Sequence, residues 1–581
     1  MKFLRISLFV LLLFVLVAAA WLWFNRPTPV DLGKYAPADS VLYVELNNPT
    51  EVVRAIQQTD VWKAAAPITQ SQPPSGNKLA MMAARAGIGP IDAVLFARAQ
   101  LALVVVGLNA AEQDDTLRVK PEFALIAETH TSAWRTKPAV VSAVQQLATF
   151  VYGASNCSER TADAEYVECS VAGGERKIIG AVDGTLVVVG NTENAVRSCL
   201  EAKRGTRPNI LSDPELVRVR SSLVSNQTLG FGYVSASNSA KLFSWAAPLL
   251  MRVGPGNRQL EQLLAVSAGK ILRGVAWTAV SSGGGIEDRY LFSLEPEVVS
   301  RLQPAFETTG RDENVWKLVP DDFESLTIYR SKEPAAAWRS LDSAVALKLD
   351  ALPAVLFGTL LKSSLVSYGI SDPKEALTTL APPLLTLRPS ASVEGSVLVA
   401  RVTDESRLRR TLAQEIFRDS NGQIVQGINA ALDPELEFSA VFSDGYVLLG
   451  RTENMQPCLA ALRTNAAINA DNKIKQESQE SSAAIVTYAN DEMRLRNFIS
   501  TLVMLQGRRL SAEEIASLQN KLGNHAFSST ETRLGSTGIE RKTHSAFGQF
   551  STFVSMLGAE SSNLRAASSS LKVESANVGA H

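Results

Sequence analysis

The residues of this 581-residue chain best suited to covalent chemistry by type and spacing are its four cysteines. Cys157 and Cys169 stand twelve positions apart and flank a polar turn, NCSERTADAEYVEC. In an oxidising compartment this spacing favours a disulfide across a hairpin. Cys199 and Cys458 instead lie among apolar residues at helical spacing, which predicts buried packing positions. The sequence therefore predicts one disulfide, Cys157–Cys169, and two reduced thiols.

No recognisable motif supports catalysis or metal binding. The S-x-x-K strings beginning at Ser267, Ser371 and Ser569 lack the S-D-N and K-T-G partners of penicillin-binding enzymes. A P-loop, a G-x-G-x-x-G and a G-x-S-x-G are also missing from the sequence. We therefore expect no catalytic residues, no cofactor and no metal. The histidines, which show no ligand spacing, are His130, His525, His544 and His581.

The sharpest local signature is a Thr-Glu-Asn sequence that occurs twice, at 192–194 and 452–454. Glu193 and Glu453 would be paired site carboxylates in a functional interpretation. The structural interpretation is simpler, because each copy follows an Asp-Gly turn and a short apolar strand. The threonine can then cap a helix whose first turn favours a glutamate. We favour the structural interpretation.

The N-terminus predicts a membrane anchor. Lys2 and Arg5 precede an apolar run, 6–24, whose 19 residues would span about 28 Å as a helix, close to the roughly 30 Å hydrocarbon core. The positive-inside rule places residues 1–5 in the cytoplasm and everything after Phe24 outside it. Residues 25–34 then form a short proline-bearing stalk.

Cleavage of a signal peptide is the alternative to this anchor. Ala18, Ala19 and Ala20 offer an A-x-A cleavage pattern. The apolar aromatic residues that continue past the site, Trp21 and Trp23, favour the anchor.

Composition bounds the rest of the chain. With 57 basic and 58 acidic residues, it lacks the clustered positive charge of a nucleic-acid footprint. A hydrophobic share of 46% and a charged share of 20% are typical of globular protein. The length favours two domains.

Apolar periodicity predicts α+β structure with mixed, largely antiparallel sheets and packed helices, because strands occur in hairpins as often as in strand–helix–strand order. The run 351–361 predicts a buried core helix. Other helices are predicted near 49–62, 138–150, 193–203 and 239–251, and strands at 40–46, 94–108, 123–128, 185–190, 229–234, 274–280 and 289–294.

Internal repetition organises the chain. DGTLVVVGNTEN at 183–194 recurs as DGYVLLGRTEN at 444–454. Weaker matches keep the same order, and their offsets fall steadily from 283 to 253. They pair 37–49 with 320–334, 123–130 with 396–403, and 285–289 with 538–542.

The repetition predicts two similar tandem halves, 35–300 and 314–556. A polar linker, 301–313, joins them. The Ser/Ala-rich segment 557–581 has no apolar period and is expected to be a disordered tail.

The order of these features resembles a known bacterial family. The anchor, the stalk, the opening strand PADSVLYVEL and a D-G-x-L-V-V-V-G strand before a helix are similar to the membrane-anchored family known as domain of unknown function 3352. The resemblance covers most of the chain after residue 33. It implies a bacterial cell-envelope protein and supplies no catalytic residues.

We therefore expect a single-pass, membrane-anchored, extracytoplasmic protein, periplasmic where an outer membrane exists, with a non-enzymatic binding or scaffolding role. Its expected partners are the membrane and a protein or an apolar ligand, but not nucleic acid. Two alternatives stay open. One is a carrier of a lipid or other apolar ligand, with the apolar helices 240–251 and 351–361 lining its pocket. The other is a hydrolase of unrecognised type.

Overall fold

The computed structural model describes most of the region that follows the predicted anchor. The predicted cytoplasmic segment, anchor and tail lie outside the described residues, as does 240–251. Among the helices described, none is long and apolar enough to cross a membrane. The described residues are 29–46, 48–69, 99–113, 116–152, 156–171, 176–239, 269–309, 313–349, 351–390, 395–412, 438–443, 445–464, 473–505, 509–522 and 527–554.

Within the described residues, eighteen strands form one sheet. The predicted α+β class with a largely antiparallel sheet is confirmed, and every strand pair among the described residues is antiparallel. In chain order the strands are β1 Leu42–Leu46, β2 Gln100–Gln113, β3 Thr116–Glu128, β4 Asn156–Thr161, β5 Glu165–Ser170, β6 Lys177–Asp183, β7 Leu186–Gly190, β8 Thr228–Ser235, β9 Leu272–Ser282, β10 Gly285–Leu294, β11 Ser325–Tyr329, β12 Leu380–Arg388, β13 Val397–Val402, β14 Phe438–Ser443, β15 Tyr446–Arg451, β16 Ile485–Asn490, β17 Phe527–Gly535 and β18 Gly538–Ser545.

Helices connect these strands and cover both faces of the sheet. Several of them begin with a proline at the first or second helical position, where its missing N–H costs nothing. The described α-helices are α1 Pro49–Gln58, α2 Asp60–Thr69, α3 Ala133–Tyr152, α4 Glu193–Arg204, α5 Pro214–Leu223, α6 Pro296–Phe306, α7 Pro334–Ala346, α8 Ala351–Val366, α9 Pro373–Ala376, α10 Glu405–Thr411, α11 Thr452–Thr464, α12 Lys473–Glu480, α13 Glu492–Leu505 and α14 Ala512–Leu522.

The hydrogen-bonded order of the strands repeats within the sheet. In the first half the order is β6, β7, β3, β2, β1, β8, β9, β10. The second half has β14, β15, β13, β12, β11, β16, β17, β18, which is the same scheme. The halves join where β10 pairs with β18. Among the described strands, the first half also has β5 and β4, which follow β6 at the edge of the sheet.

Alternating side chains of the sheet form a core in each half, and a helix that carries a buried cysteine packs against this core. Thr192 precedes α4, whose Cys199 is buried against the first-half sheet, and Cys458 of α11 is buried against the second-half sheet. Both thiols therefore lie in the packing positions that their helical spacing predicts. The sheet side chains of these two clusters include Tyr43, Val104, Ala124 and Val188 in the first half, and Leu326, Leu387, Val397 and Leu448 in the second.

Three sequence expectations need correction. The helix predicted over 49–62 is broken at Thr59, whose hydroxyl donates to Ile56 O (2.8 Å) and accepts from Trp62 N (3.2 Å) to start α2. The predicted linker 301–313 is helical as far as Phe306, because Leu302 belongs to a buried cluster.

The third correction concerns the apolar run 351–361. It forms a helix that continues to Val366, but this helix is not buried in the core. Val355 is 66% exposed and Val366 is 52% exposed. The run is apolar around most of its circumference, so periodicity could not reveal which residues face solvent.

Candidate functional site

The best candidate site lies where the described chain begins and where β2 and β3 meet. Gln100 at the start of β2 pairs directly with Glu128 at the end of β3. Tyr35 is the last residue of the 3-10 helix Leu32–Tyr35, and its hydroxyl donates a hydrogen bond to Glu128 Oε2 at 3.0 Å. Sheet register and one short helix thus bring together three polar side chains that are far apart in sequence.

Glu128 is the buried centre of this cluster. It accepts hydrogen bonds from the Tyr35 hydroxyl on Oε2 and from the His130 backbone N–H on Oε1, the latter at 3.1 Å. Burial and the neighbouring Glu128 carboxylate raise the pKa of Tyr35 above its ordinary range. Tyr35 therefore remains a hydrogen-bond donor at all physiological pH values.

His130 holds a strained backbone conformation, with φ of 52°. For a residue with a side chain this left-handed region costs on the order of 1–3 kcal/mol. In the side chain of His130, the ring nitrogen Nε2 forms a hydrogen bond with Gln100 Oε1 at 3.1 Å. An amide oxygen only accepts, so we assign the proton to Nε2. The other ring nitrogen lies 4.0 Å from Glu128 Oε1.

A histidine beside a buried carboxylate can move a proton, as in general acid–base catalysis. The hydroxyls on either side of His130 are engaged with the backbone, however. Thr129 Oγ1 donates to Thr185 O at 2.8 Å, and Thr131 Oγ1 donates to Thr129 O at 3.1 Å. Neither threonine is presented as a nucleophile, so the arrangement does not support covalent catalysis.

Gln100 also ties the cluster to the predicted stalk. Its Oε1 accepts from Val30 N at 2.8 Å, and its Nε2 donates to Val30 O at 3.0 Å. These two bonds imitate the pairing of a short strand. The cluster therefore fastens the chain that enters from the N-terminus onto the end of the sheet.

A second buried carboxylate fastens the same segment. Arg220 on α5 donates to both oxygens of Glu45, at 2.8 and 3.0 Å, and to Asp31 Oδ1 at 2.6 Å. Tyr43 donates to Glu45 Oε2 at 2.5 Å. Burial raises the pKa of Glu45 despite the opposing charge of Arg220. Asp31 and Val30, adjacent in sequence, are thus held by two separate networks.

The predicted disulfide partners face each other on the edge hairpin. Cys157 on β4 and Cys169 on β5 are direct cross-strand neighbours, 4.1 Å apart between Cα atoms, and the structure joins them in a disulfide. Cys199 and Cys458 are free and buried. Burial raises the pKa of each of these two thiols to about 12, which suppresses thiolate chemistry.

The first copy of the Thr-Glu-Asn has the predicted capping role. Thr192 Oγ1 accepts from Ala195 N at 3.2 Å and caps α4, and Gly184 in the preceding turn has φ of 67°. Glu193 forms exposed ion pairs with Arg160 and Arg197. In the other copy, Thr452 begins α11 and its hydroxyl lies 2.6 Å from Ser439 Oγ.

The remaining sequence candidates are not brought together. Ser371 Oγ donates to Thr411 O at 2.6 Å, while Lys374 is exposed near Asp342, so this S-x-x-K has no activated serine. His544 Nε2 contacts Ser282 O at 3.0 Å. In the described parts of the chain, no group of acidic, histidine and cysteine residues could hold a metal ion. The other candidates, Ser267, Ser569, His525 and His581, lie outside the described residues.

The sequence contained a clue to the stalk attachment that motif searching missed. Glu45 lies in the opening strand at the same alternation as Tyr43 and Val41, which are buried. A carboxylate at an inward-facing strand position needs a buried partner. Its partner Arg220 is 175 residues away, so only the fold identifies it.

Comparison of the chain with protein-family models, with curated proteins and with solved structures finds no match. The resemblance to domain of unknown function 3352 therefore remains a prediction. The function has to be argued from the residues themselves.

Proposed function

We propose that this protein is a membrane-anchored, non-enzymatic scaffolding or binding protein of the bacterial cell envelope. The double attachment of the stalk supports the proposal. Val30 is bound by Gln100 and Asp31 by Arg220, so the chain leaving the predicted anchor is fixed to the sheet at once. A passive tether would not need two buried networks where it enters the folded region.

The distances suit a body held close to a bilayer. Between the end of the predicted anchor and Val30 lie the five residues 25–29, which extend over at most about 17 Å. The part of the sheet that the structure describes has eighteen strands, and an inter-strand spacing of about 4.8 Å gives it a width of up to about 80 Å. Such a platform can hold partners at defined positions beside the membrane.

Fractionation and N-terminal sequencing test the anchoring directly. The full chain should stay in the membrane pellet after carbonate extraction, be cut by protease added outside the cytoplasmic membrane, and begin at or near Met1. A sequence that starts at Trp21 would mean that residues 1–20 are a cleaved signal peptide. A soluble, uncleaved protein would contradict the proposal altogether.

A second candidate function is the carriage of an apolar ligand. One observation favours it: Leu103, Phe123 and Leu125 lie side by side on the sheet and are exposed. Native mass spectrometry with lipid extraction separates the two functions. A carrier should retain an apolar ligand in stoichiometric amount, whereas a scaffold should retain a protein partner. A broad esterase, glycosidase and peptidase assay addresses the hydrolase alternative.

We further propose that the halves 35–300 and 314–556 arose by tandem duplication. The shared strand order supports this, as does the same strand–turn–strand–helix sequence leading to Cys199 and to Cys458. The segments 183–200 and 444–459 should therefore superpose. Unlike elements at those two places would contradict the duplication.

A further inference from the structure

A groove between α6 and α7 contains two arginines. Its volume is about 920 Å³, and Arg301 on α6 and Arg339 on α7 both line it. Ser340 Oγ donates to Arg301 O, which brings the two arginines to neighbouring places on the facing helices. Near the other end of the groove, Lys348 Nζ lies 2.7 Å from Glu297 Oε2. These two contacts hold the helices antiparallel and fix the shape of the groove.

Neither arginine is paired with the acidic residue that its own helix offers. Glu297 lies one turn before Arg301, but its carboxylate pairs with the lysine that follows α7. Asp342 lies one turn after Arg339, and its carboxylate is 3.9 Å from Lys374 Nζ. Within the part of the chain that the structure describes, neither guanidinium forms an ion pair or a side-chain hydrogen bond. The exposed groove therefore has uncompensated positive charge.

We propose that this groove binds the phosphate group of an anionic phospholipid. A guanidinium presents paired N–H donors that match two phosphate oxygens. Other parts of the wall are apolar and suit the glycerol and the first methylenes of the acyl chains; they are formed by Pro296, Pro304, Ala336 and Leu347. The inference rests on the proposed membrane location, because the membrane supplies the lipid.

The first half closes the equivalent helix contact with apolar side chains. In the second half, α6 follows β10 and packs on α7, which follows β11. In the first half, the helical segment 550–554 follows β18 and packs on α1, which follows β1. There Phe550 and Phe553 lie edge-on to Trp277, with ring centroids 6.1 and 6.0 Å from its ring. Ile56 of α1 packs against the same cluster.

Polar residues occupy the matching positions beside the groove. β10 and β18 begin 253 residues apart, and this offset places Ser300 at the position of Phe553. β1 and β11 begin 283 residues apart, which places Arg339 at the position of Ile56. Packing alone is satisfied by the apolar residues of the first half. A few polar groups within a partly apolar groove are instead typical of a ligand site.

Lipid binding by the purified full chain tests the site. The chain is kept in a neutral detergent and titrated with short-chain phosphatidylglycerol, while native mass spectrometry counts the bound lipids. Each arginine near an anionic headgroup contributes about fivefold in affinity, so Arg301→Gln with Arg339→Gln should weaken binding of one lipid about 25-fold. Arg135→Gln with Arg176→Gln is the matched control. It removes two exposed arginines near the β5–β6 edge of the first half and should change the affinity less than twofold.

A variant that keeps every charge separates the groove from general attraction to anionic lipid. Ser300→Phe introduces the phenylalanine of the first-half contact and should fill the groove, so that the lipid no longer binds. Ser300 is exposed, and the unfolding temperature should therefore stay at the wild-type value. Wild-type lipid binding by Ser300→Phe, or by the variant that lacks both arginines, would overturn the proposal.

A soluble ligand identifies the source of the phosphate. Free glycerol phosphate should bind at least tenfold more weakly than phosphatidylglycerol, because it lacks the acyl chains that contact the apolar wall. Equal binding of the two would overturn the lipid assignment in favour of a soluble phosphate ester. Lipid held around the predicted anchor is the same in every variant and cancels in the comparison. The anchoring is tested by fractionation of the cell, so the site and the membrane location can fail separately.

Discussion

Arg289 on β10 lies directly opposite Lys542 on β18, at the strand pair that joins the two halves. The two residues occupy equivalent places in GIEDR and GIERK, so the junction has local two-fold character, as in a symmetric dimer interface. Like charges facing each other across strands are destabilising. Glu287, buried beside them, accepts from Arg289 Nε at 2.6 Å and forms an ion pair with Lys542 Nζ at 2.8 Å.

Glu287→Gln should weaken this junction. The change leaves two cations opposed without their shared carboxylate, and both cations are about half exposed. We therefore expect a loss of about 1–2 kcal/mol, less than for a fully buried pair. Chemical denaturation of the full chain measures it. Glu159→Gln removes an exposed pair with Lys137 away from the junction and is the matched control, which should lose less than about 1 kcal/mol.

The same variant has a pH signature. Burial opposes ionisation of Glu287, but hydrogen bonds from Lys542 and Arg289 prevail and lower its pKa below the ordinary 4.5. A carboxyl group with a lowered pKa stabilises the folded state at pH values above the ordinary pKa of the group. This stabilisation is lost as the pH falls through the pKa of the folded state. The advantage of the wild type over Glu287→Gln should therefore shrink below pH 4.5. An advantage that is constant down to acid denaturation would contradict this assignment.

Asp288, the next residue, should behave in the opposite way. Burial raises its pKa to about 6, although Trp277 Nε1 and Gln549 N donate to its oxygens at 2.8 and 3.0 Å. The folded state then binds the proton more tightly than the unfolded state. The contribution of Asp288 to stability is fully present at pH values below its ordinary pKa of 3.8. It is lost as the pH rises through about 6.

Asp288→Asn removes this titration. Between about pH 4 and pH 7 the wild type should lose up to about 3 kcal/mol relative to the variant. Denaturation midpoints of the two proteins across this range provide the measurement. Parallel curves would show that Asp288 does not titrate with a raised pKa.

The disulfide hairpin should contribute measurable stability. Replacing both Cys157 and Cys169 by serine should cost about 2–3 kcal/mol, the scale for a short closed loop. Non-reducing peptide mapping of envelope-localised protein should recover the Cys157–Cys169 pair. Cys199 and Cys458 should react with maleimide only after unfolding, which is the internal control. Recovery of Cys157 and Cys169 as free thiols would refute the disulfide.

The strain at His130 can be measured with two variants that both remove the imidazole. His130→Gly should be more stable than His130→Ala by about 1 kcal/mol, because the left-handed conformation penalises a Cβ and not a hydrogen. The comparison isolates the backbone from the ring contact with Gln100. Equal stability of the two variants would mean that residue 130 relaxes to another φ.

Much of the fold could be predicted from the sequence because its determinants are local. Alternating apolar residues predicted most strands, and Asp-Gly predicted the turn at Gly184. Helical spacing of the apolar residues predicted that Cys199 and Cys458 are buried. The predictions that failed depended on non-local surroundings. The apolar run of α8 was predicted to be buried, but Val355 is exposed. The first residues of the predicted linker belong to α6, because Leu302 is buried.

The sequence by itself determined the α+β class, the spacing of the cysteine hairpin and the order of the repeated segments, since each depends on residues close together in the chain. Only the tertiary structure decided that both halves share one antiparallel sheet and that Gln100 and Arg220 hold Val30 and Asp31. Glu45 meets Arg220 across 175 positions, and β10 meets β18 across more than 200. A buried charge needs a partner, but its own sequence neighbourhood cannot say which residue the folded chain will bring to it.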